Sequence, residues 1–98
     1  MNFKNHCEES KKKFGVDWAC VHAWLDEYSR IYYPSKIHRS HRHHVEGVEQ
    51  VRGLWGDEAA EAAKQHILLD MEDMGMKEIP SEDWWNEWIT REYGKQGV

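Results

Sequence analysis

The chain has little of what builds secreted, membrane-spanning or β-rich proteins. It holds 2 cysteines, 2 prolines and 2 phenylalanines in 98 residues. Cys7 and Cys20 form no Cys-x-x-Cys, which excludes a cysteine zinc knuckle and a dithiol redox motif. No run approaches the ~18 apolar residues of a membrane span. The opening Met1-Asn2-Phe3-Lys4-Asn5-His6 lacks the apolar stretch of a secretion signal. A cytoplasmic protein with both thiols reduced is therefore expected. No segment alternates apolar and polar residues between turn signals, so no strand is expected. A Walker loop, Gly-x-Ser-x-Gly, His-Glu-x-x-His and a His-Asp dipeptide are all missing.

What is present is charge, tryptophan and histidine. The net charge is −5, with 40% hydrophobic and 32% charged residues, a balance that favours a folded chain. The 6 tryptophans imply an aromatic core. Residues 1–56 carry nine Lys/Arg, seven Asp/Glu and six of the 7 histidines; residues 57–98 carry four Lys/Arg against eleven Asp/Glu. Lys36, Arg39, Arg42 and Arg52 make one basic stretch, but the whole chain is acidic, and nucleic acid is not the expected partner. The length suits one domain, 1–98, with a helical core over 16–93 and a weakly ordered segment over 1–15.

Gly15, Pro34, Gly56, Gly75, Pro80 and Gly94 divide the chain into helical segments. The first, about 2–13, is polar apart from Phe3 and Phe14. The second runs from an N-cap at Asp17 to about Tyr33, with Val21, Trp24, Leu25, Tyr28 and Tyr32 as its apolar stripe. The third spans about Lys36 to Trp55, with Ile37, His44, Val48, Val51 and Trp55 on one side. Asp57 opens the fourth, whose inner face is Ala60, Ala63, Ile67, Met71 and Met74. Ser81, Glu82 and Asp83 open the last, where Trp84, Trp85, Trp88 and Ile89 are the apolar side. The expected fold is all-α, a compact bundle of four or five short helices with no sheet.

The chemistry-bearing feature is His-x-x-x-Asp, which occurs at His22/Asp26 and again at His66/Asp70. Four residues is about one helical turn, so each pair shares a face. Imidazole plus carboxylate suits Zn, Fe or Mn and also acid–base work. Asp70 lies near the apolar stripe and needs an interior partner. That partner is either a structural hydrogen-bond donor or a metal or histidine site. His22 and Asp26 lie beside their stripe, at a rim. Between the pairs stands Ile37-His38-Arg39-Ser40-His41-Arg42-His43-His44-Val45-Glu46-Gly47. On a continuous helix His44 faces in with His41, His38 is at the edge and His43 points away. Arg39 and Arg42 can clamp an anion or cover acidic surface.

These segments resemble an uncharacterised family of small bacterial and phage proteins. The shared pattern is His22-Ala23-Trp24-Leu25-Asp26, then His38-Arg39 with Arg42-His43-His44-Val45-Glu46-Gly47, then Gln65-His66 with Asp70, and Ile79-Pro80 with Asp83-Trp84. The resemblance implies that His22, Asp26, His38, His43, His44, Glu46, His66 and Asp70 belong to one constellation, and it brings no activity. The resulting expectation is a divalent-metal centre (Zn, Mn or Fe) supporting hydrolysis. Its ligands would be His22, Asp26, His44, His66 and Asp70, with Glu46 as general base and His38, His43, Arg39 and Arg42 in reserve. The competing expectation is a non-enzymatic accessory module of a phage or mobile element. Its His–Asp pairs would be structural, and it would dimerise or bind a protein through Trp84, Trp85 and Trp88.

Overall fold

The computed structural model describes residues 1–29 and 36–93. Helix α1 (Phe3–Phe14) starts where the Asn2 side chain accepts from the Asn5 N–H and stops where Gly15 turns left-handed at φ 77°. Lys11, Lys12 and Lys13 fill its last turn, where cations suit the negative helix end. The polar segment expected as a weak helix over about 2–13 forms a twelve-residue helix, and it docks through two buried polar residues, His6 and Ser10.

Helix α2 (Ala19–Leu25) is shorter than the expected 17–33 helix. Its cap is Trp18, held left-handed at φ 52°, while the Asp17 carboxylate accepts from the Ala19 N–H at 3.1 Å. The helix ends at Leu25 and a turn follows through Tyr28; positions 30–35 lie outside the described residues.

The expected single helix over 36–55 is two elements. A 3-10 helix covers Lys36–His41, and α3 covers Val45–Trp55. The break is made by His44, whose extended backbone (φ −153°, ψ 172°) and ring restart the helix: His44 Nδ1 accepts from the Gly47 N–H at 2.8 Å. Gly56, at φ 99°, turns the chain into α4 (Asp57–Met71), so Gly56 rather than Asp57 is the cap. Ala59, Ala60, Ala62 and Ala63 are fully buried, and their small side chains bring α4 close to its neighbours. A 3-10 turn (Glu72–Met74) and left-handed Gly75 end that arm. In α5 (Glu82–Tyr93) the Ser81 hydroxyl accepts from the Trp84 N–H.

The core is Val21, Leu25, Val48, Val51, Ile67, Met71, Trp85 and the alanines of α4. Trp85 is buried between Trp84 and Trp88, edge-to-face at 5.0 and 5.4 Å. No strand occurs among the described residues, and none of their helices is long and apolar enough to cross a membrane.

The turn at 42–47 is pinned from several sides. The Trp85 indole donates to the His43 carbonyl at 2.7 Å, and the Val45 N–H to the Pro80 carbonyl at 2.9 Å. Gly47 packs directly onto the Arg42 carbonyl; a Cβ there would lie 2.0 Å from that oxygen. Gly47→Ala is therefore expected to cost about 2 kcal/mol or more. Thermal melts should show this as a drop in Tm of roughly 8 °C or more. Gly53→Ala, whose Cβ would meet open space, should leave Tm level or raise it.

Candidate metal centre

The inner face of α4 places His66 and Asp70 one turn apart, both buried. Asp70 is only 5% exposed, and a lone carboxylate at that depth costs several kcal/mol. Its partners come from three parts of the chain. His6 Nε2 from α1 lies 2.9 Å from Asp70 Oδ1, and His43 Nε2 from the pinned turn lies 2.9 Å from Oδ2. His66 Nε2, on the same helix, is 3.2 Å from Oδ2. The amino nitrogen of Met1 is 3.3 Å from Oδ1. Asp26, just past α2, completes the centre: its Oδ1 is 3.4 Å from His66 Nε2 and 3.5 Å from His43 Nε2. The rings of His6 and His66 stack at 3.6 Å and 15°. Behind them His22 Nδ1 lies 2.9 Å from His66 Nδ1, and His22 Nε2 lies 2.7 Å from the Ser10 hydroxyl.

The charges follow from burial and neighbours. Burial would raise the Asp70 pKa, but the His43, His6 and His66 imidazoles outweigh it and hold the carboxyl far below its usual range. Burial likewise opposes ionisation of Asp26, and His66 and His43 prevail. Burial lowers His43 to about 4. Burial, together with the positive charge that His66 and His6 can carry, lowers His22 to about 4. His6 is lowered too, chiefly by burial, against the pull of Asp70. His66 alone moves up: burial lowers it, and the two carboxylates at Nε2 more than reverse that.

The structure brings together His22, Asp26, His66 and Asp70 from the sequence-expected set, and His43 from its reserve. It places His43, not His44, against Asp70. The chain is not helical at 42–44, so the 100° spacing of a continuous helix does not apply there. His44 uses both ring nitrogens structurally: Nδ1 accepts from the Gly47 N–H, and Nε2 donates to the His41 carbonyl at 3.0 Å. It has no lone pair left for a metal. Glu46 is not placed as a general base. Its side chain is 48% exposed, and its carboxylate accepts from the Glu82 N–H at 3.0 Å, at the head of α5. His38 reaches only the rim, with Nε2 4.0 Å from Asp26 Oδ1. Arg39 is held bidentately by Asp73 at 2.8 and 3.1 Å. Arg42 donates to the Trp24 carbonyl and to Glu27, with its guanidinium 4.0 Å over the Trp24 ring. His22, expected at a rim, is fully buried.

His6 and Ser10 did not emerge from the sequence. Their signal was faint: Phe3, His6, Cys7, Ser10 and Phe14 form the one uncharged stripe of a lysine- and glutamate-rich helix.

The donor set fits a metal ion. Ligand atoms 2.0–2.1 Å from one ion sit about 2.9 Å apart in octahedral geometry and about 3.3 Å apart in tetrahedral. The imidazole–carboxylate separations here run from 2.9 to 3.5 Å. Single atoms from His6, Asp26, His66 and Asp70 all lie within 4.8 Å of one another. His66 Nε2 and Asp26 Oδ1 are buried and lack a hydrogen bond of proper direction, although they face each other. Two sets are close enough to hold a metal, His6–Asp26–His66–Asp70 and His6–His22–His66, and His43 is in neither. A cleft of about 720 Å³, lined by Phe3, Trp24, Trp55, His22, Asp26 and others, opens onto the Asp26 side.

A family model describing a domain of unknown function matches residues 1–93. The chain belongs to the DUF6915 family. No curated protein and no solved structure matches it.

The DUF6915 centre makes stability pH-dependent. An unfolded imidazole takes its proton near pH 6.5, whereas folded His22 and His43 do so only near 4. Between those values the unfolded state binds more protons, so acid favours unfolding, by about 1.4 kcal/mol per pH unit for each imidazole kept neutral. His6 acts in the same sense. His66, raised, acts oppositely: its contribution is complete below pH 6.5 and is lost as pH rises through its folded pKa. The carboxylates stabilise above their unfolded pKa of about 3.9 and lose that as pH falls further. Urea denaturation in chelator should show stability falling from pH 7 to pH 4.5. A flat or rising profile would contradict the assigned charges.

Proposed function

We propose that this chain binds one divalent transition metal (Zn, Mn or Fe) at the His6–His66–Asp26–Asp70 centre, with His43 holding Asp70, and uses it for hydrolysis. The observation that carries this reading is the convergence of three imidazole Nε2 atoms on two carboxylates in a buried site, with His66 Nε2 left without a directed hydrogen bond. Mixed nitrogen and oxygen donors suit these borderline ions. Two carboxylates balance the charge of one such ion. A bound ion of this kind supplies Lewis acidity and lowers the pKa of water near it. Asp70, His6 and His43 are the deeper groups and hold position. Asp26 is 25% exposed and edges the cleft, which supports assigning to it the contact with substrate and the acceptance of a proton. It replaces Glu46 in that role. A reducing bacterial or phage-host cytoplasm suits the free Cys7 and Cys20.

A second reading has one observation in its favour: Asp70 accepts directed hydrogen bonds from His6 and His43. The centre would then be a structural clamp, and half-exposed Trp84 and Trp88 would serve a protein partner or a second copy.

Metal analysis separates the two. Protein purified without a nickel column is expected to carry about one equivalent of Zn, Mn or Fe, and added metal at ~100 times Kd should stabilise it by about 2.7 kcal/mol. Asp70→Asn and His66→Ala should lose the metal, while His44→Ala should keep it despite a lower Tm. Less than ~0.2 equivalents with no stabilisation by Zn or Mn would remove the metal reading.

A further inference from the structure

Behind the carboxylates runs a row of groups that the metal reading does not use: His66 Nδ1, His22, Ser10 and Gln65. His66 Nδ1 and His22 Nδ1 are 2.9 Å apart, His22 Nε2 and Ser10 Oγ 2.7 Å, and Ser10 Oγ and Gln65 Oε1 3.5 Å. Ser10, His22 and His66 are fully buried, so each proton in the row must be placed on a neighbour and not on solvent.

We infer that His22, Ser10 and Gln65 are positioning residues, forming a one-way hydrogen-bond chain that keeps a proton on His66 Nδ1 and commits His66 Nε2 to the Asp26–Asp70 side. The direction is set from the Gln65 end inward. The Gln65 carbonyl only accepts, so the Ser10 hydroxyl donates to it. Ser10 Oγ then accepts from His22 Nε2, which carries the His22 hydrogen. His22 Nδ1 is left with a lone pair and accepts from His66 Nδ1. Two carboxylates stand at His66 Nε2, at 3.4 and 3.2 Å. The opposite direction would place a hydrogen on His66 Nε2 from within the chain, close that atom to metal, and leave the Gln65 carbonyl without its donor. An imidazole fixed through its far nitrogen is the arrangement that orients a metal ligand and raises its basicity. The direction stands on the geometry alone; its consequence for affinity rests on the metal reading.

Nitrogen-15 NMR of the histidine side chains tests the direction in metal-free protein at pH 7. His22 should show a hydrogen-bearing Nε2 and a lone-pair Nδ1, and zinc should perturb His66 at Nε2 and leave its Nδ1 hydrogen in place. His22 bearing its hydrogen on Nδ1 would overturn the inference whether or not zinc binds. Zinc affinity by chelator competition gives the second readout. Ser10→Ala and half-buried Gln65→Leu should weaken it about tenfold or more, and Gln65→Glu, which keeps the acceptor, should restore it. Unchanged affinity in Ser10→Ala and Gln65→Leu would overturn the positioning role. A wild-type chain that takes up no zinc would defeat the metal reading, while the metal-free spectrum still decides the chain of protons.

Discussion

Asp70 is an anion placed one turn past His66 on the buried face of the longest helix, and the rest of the molecule is arranged to answer it. A carboxylate so deep needs directed partners or a cation. Its own helix supplies His66 at 3.2 Å. The other contacts have to be brought from elsewhere, and each contact recruits an element. His6 draws α1 onto the bundle, and α1 has little apolar surface of its own with which to dock. His43 draws in the turn between the 3-10 helix and α3. Asp26 then brings the end of α2 against the same imidazoles. The polar centre organises the docking of α1 and of the 42–44 turn, neither of which contributes to a hydrophobic core built from α2, α3, α4 and Trp85.

The segment from Arg39 to Gly47 shows how a dense run of polar residues divides its work. Arg39 fastens to Asp73, and Arg42 lies over Trp24 while holding its carbonyl. His43 enters the centre, and its carbonyl is held by Trp85. His44 spends its imidazole on starting α3, and Glu46 tethers α5 through the Glu82 N–H. Gly47 leaves room for the Arg42 carbonyl. Only one of these side chains, His43, reaches the buried carboxylate Asp70. The others fix where that one points, which is how a site on a turn gains the rigidity of a site on a helix.

The helical class was legible because Gly15, Gly56 and Gly75 stop helices through left-handed or otherwise positive φ, and because alanine, isoleucine and methionine recur at helical spacing in α4. Asp70 was legible for the same reason: a carboxylate on an apolar stripe requires an answer. The reversal of His43 and His44 was hidden, because the 100° rule holds only inside a helix and nothing local marks His44 as a cap. Serine, threonine, aspartate and asparagine are the usual cap residues, and histidine is a rare substitute. His6 was hidden because its burial comes from a contact 64 residues away, on a helix whose composition reads as solvated. The burial of His22 is hidden for the same reason: it lies beside the apolar stripe of α2, and Ser10 of α1 covers it.

The central claim is that two imidazoles, His6 and His66, and two carboxylates, Asp26 and Asp70, share one ion. Crystals grown with manganese or zinc, with data collected at the absorption edge, test it most directly. The account predicts a single strong anomalous peak about 2.0–2.2 Å from ring nitrogens of His6 and His66 and from Asp26 and Asp70 oxygens. A peak on His44, Glu46 or a cysteine, or an ordered centre with imidazoles hydrogen-bonded to Asp70 and no peak at saturating metal, would contradict it.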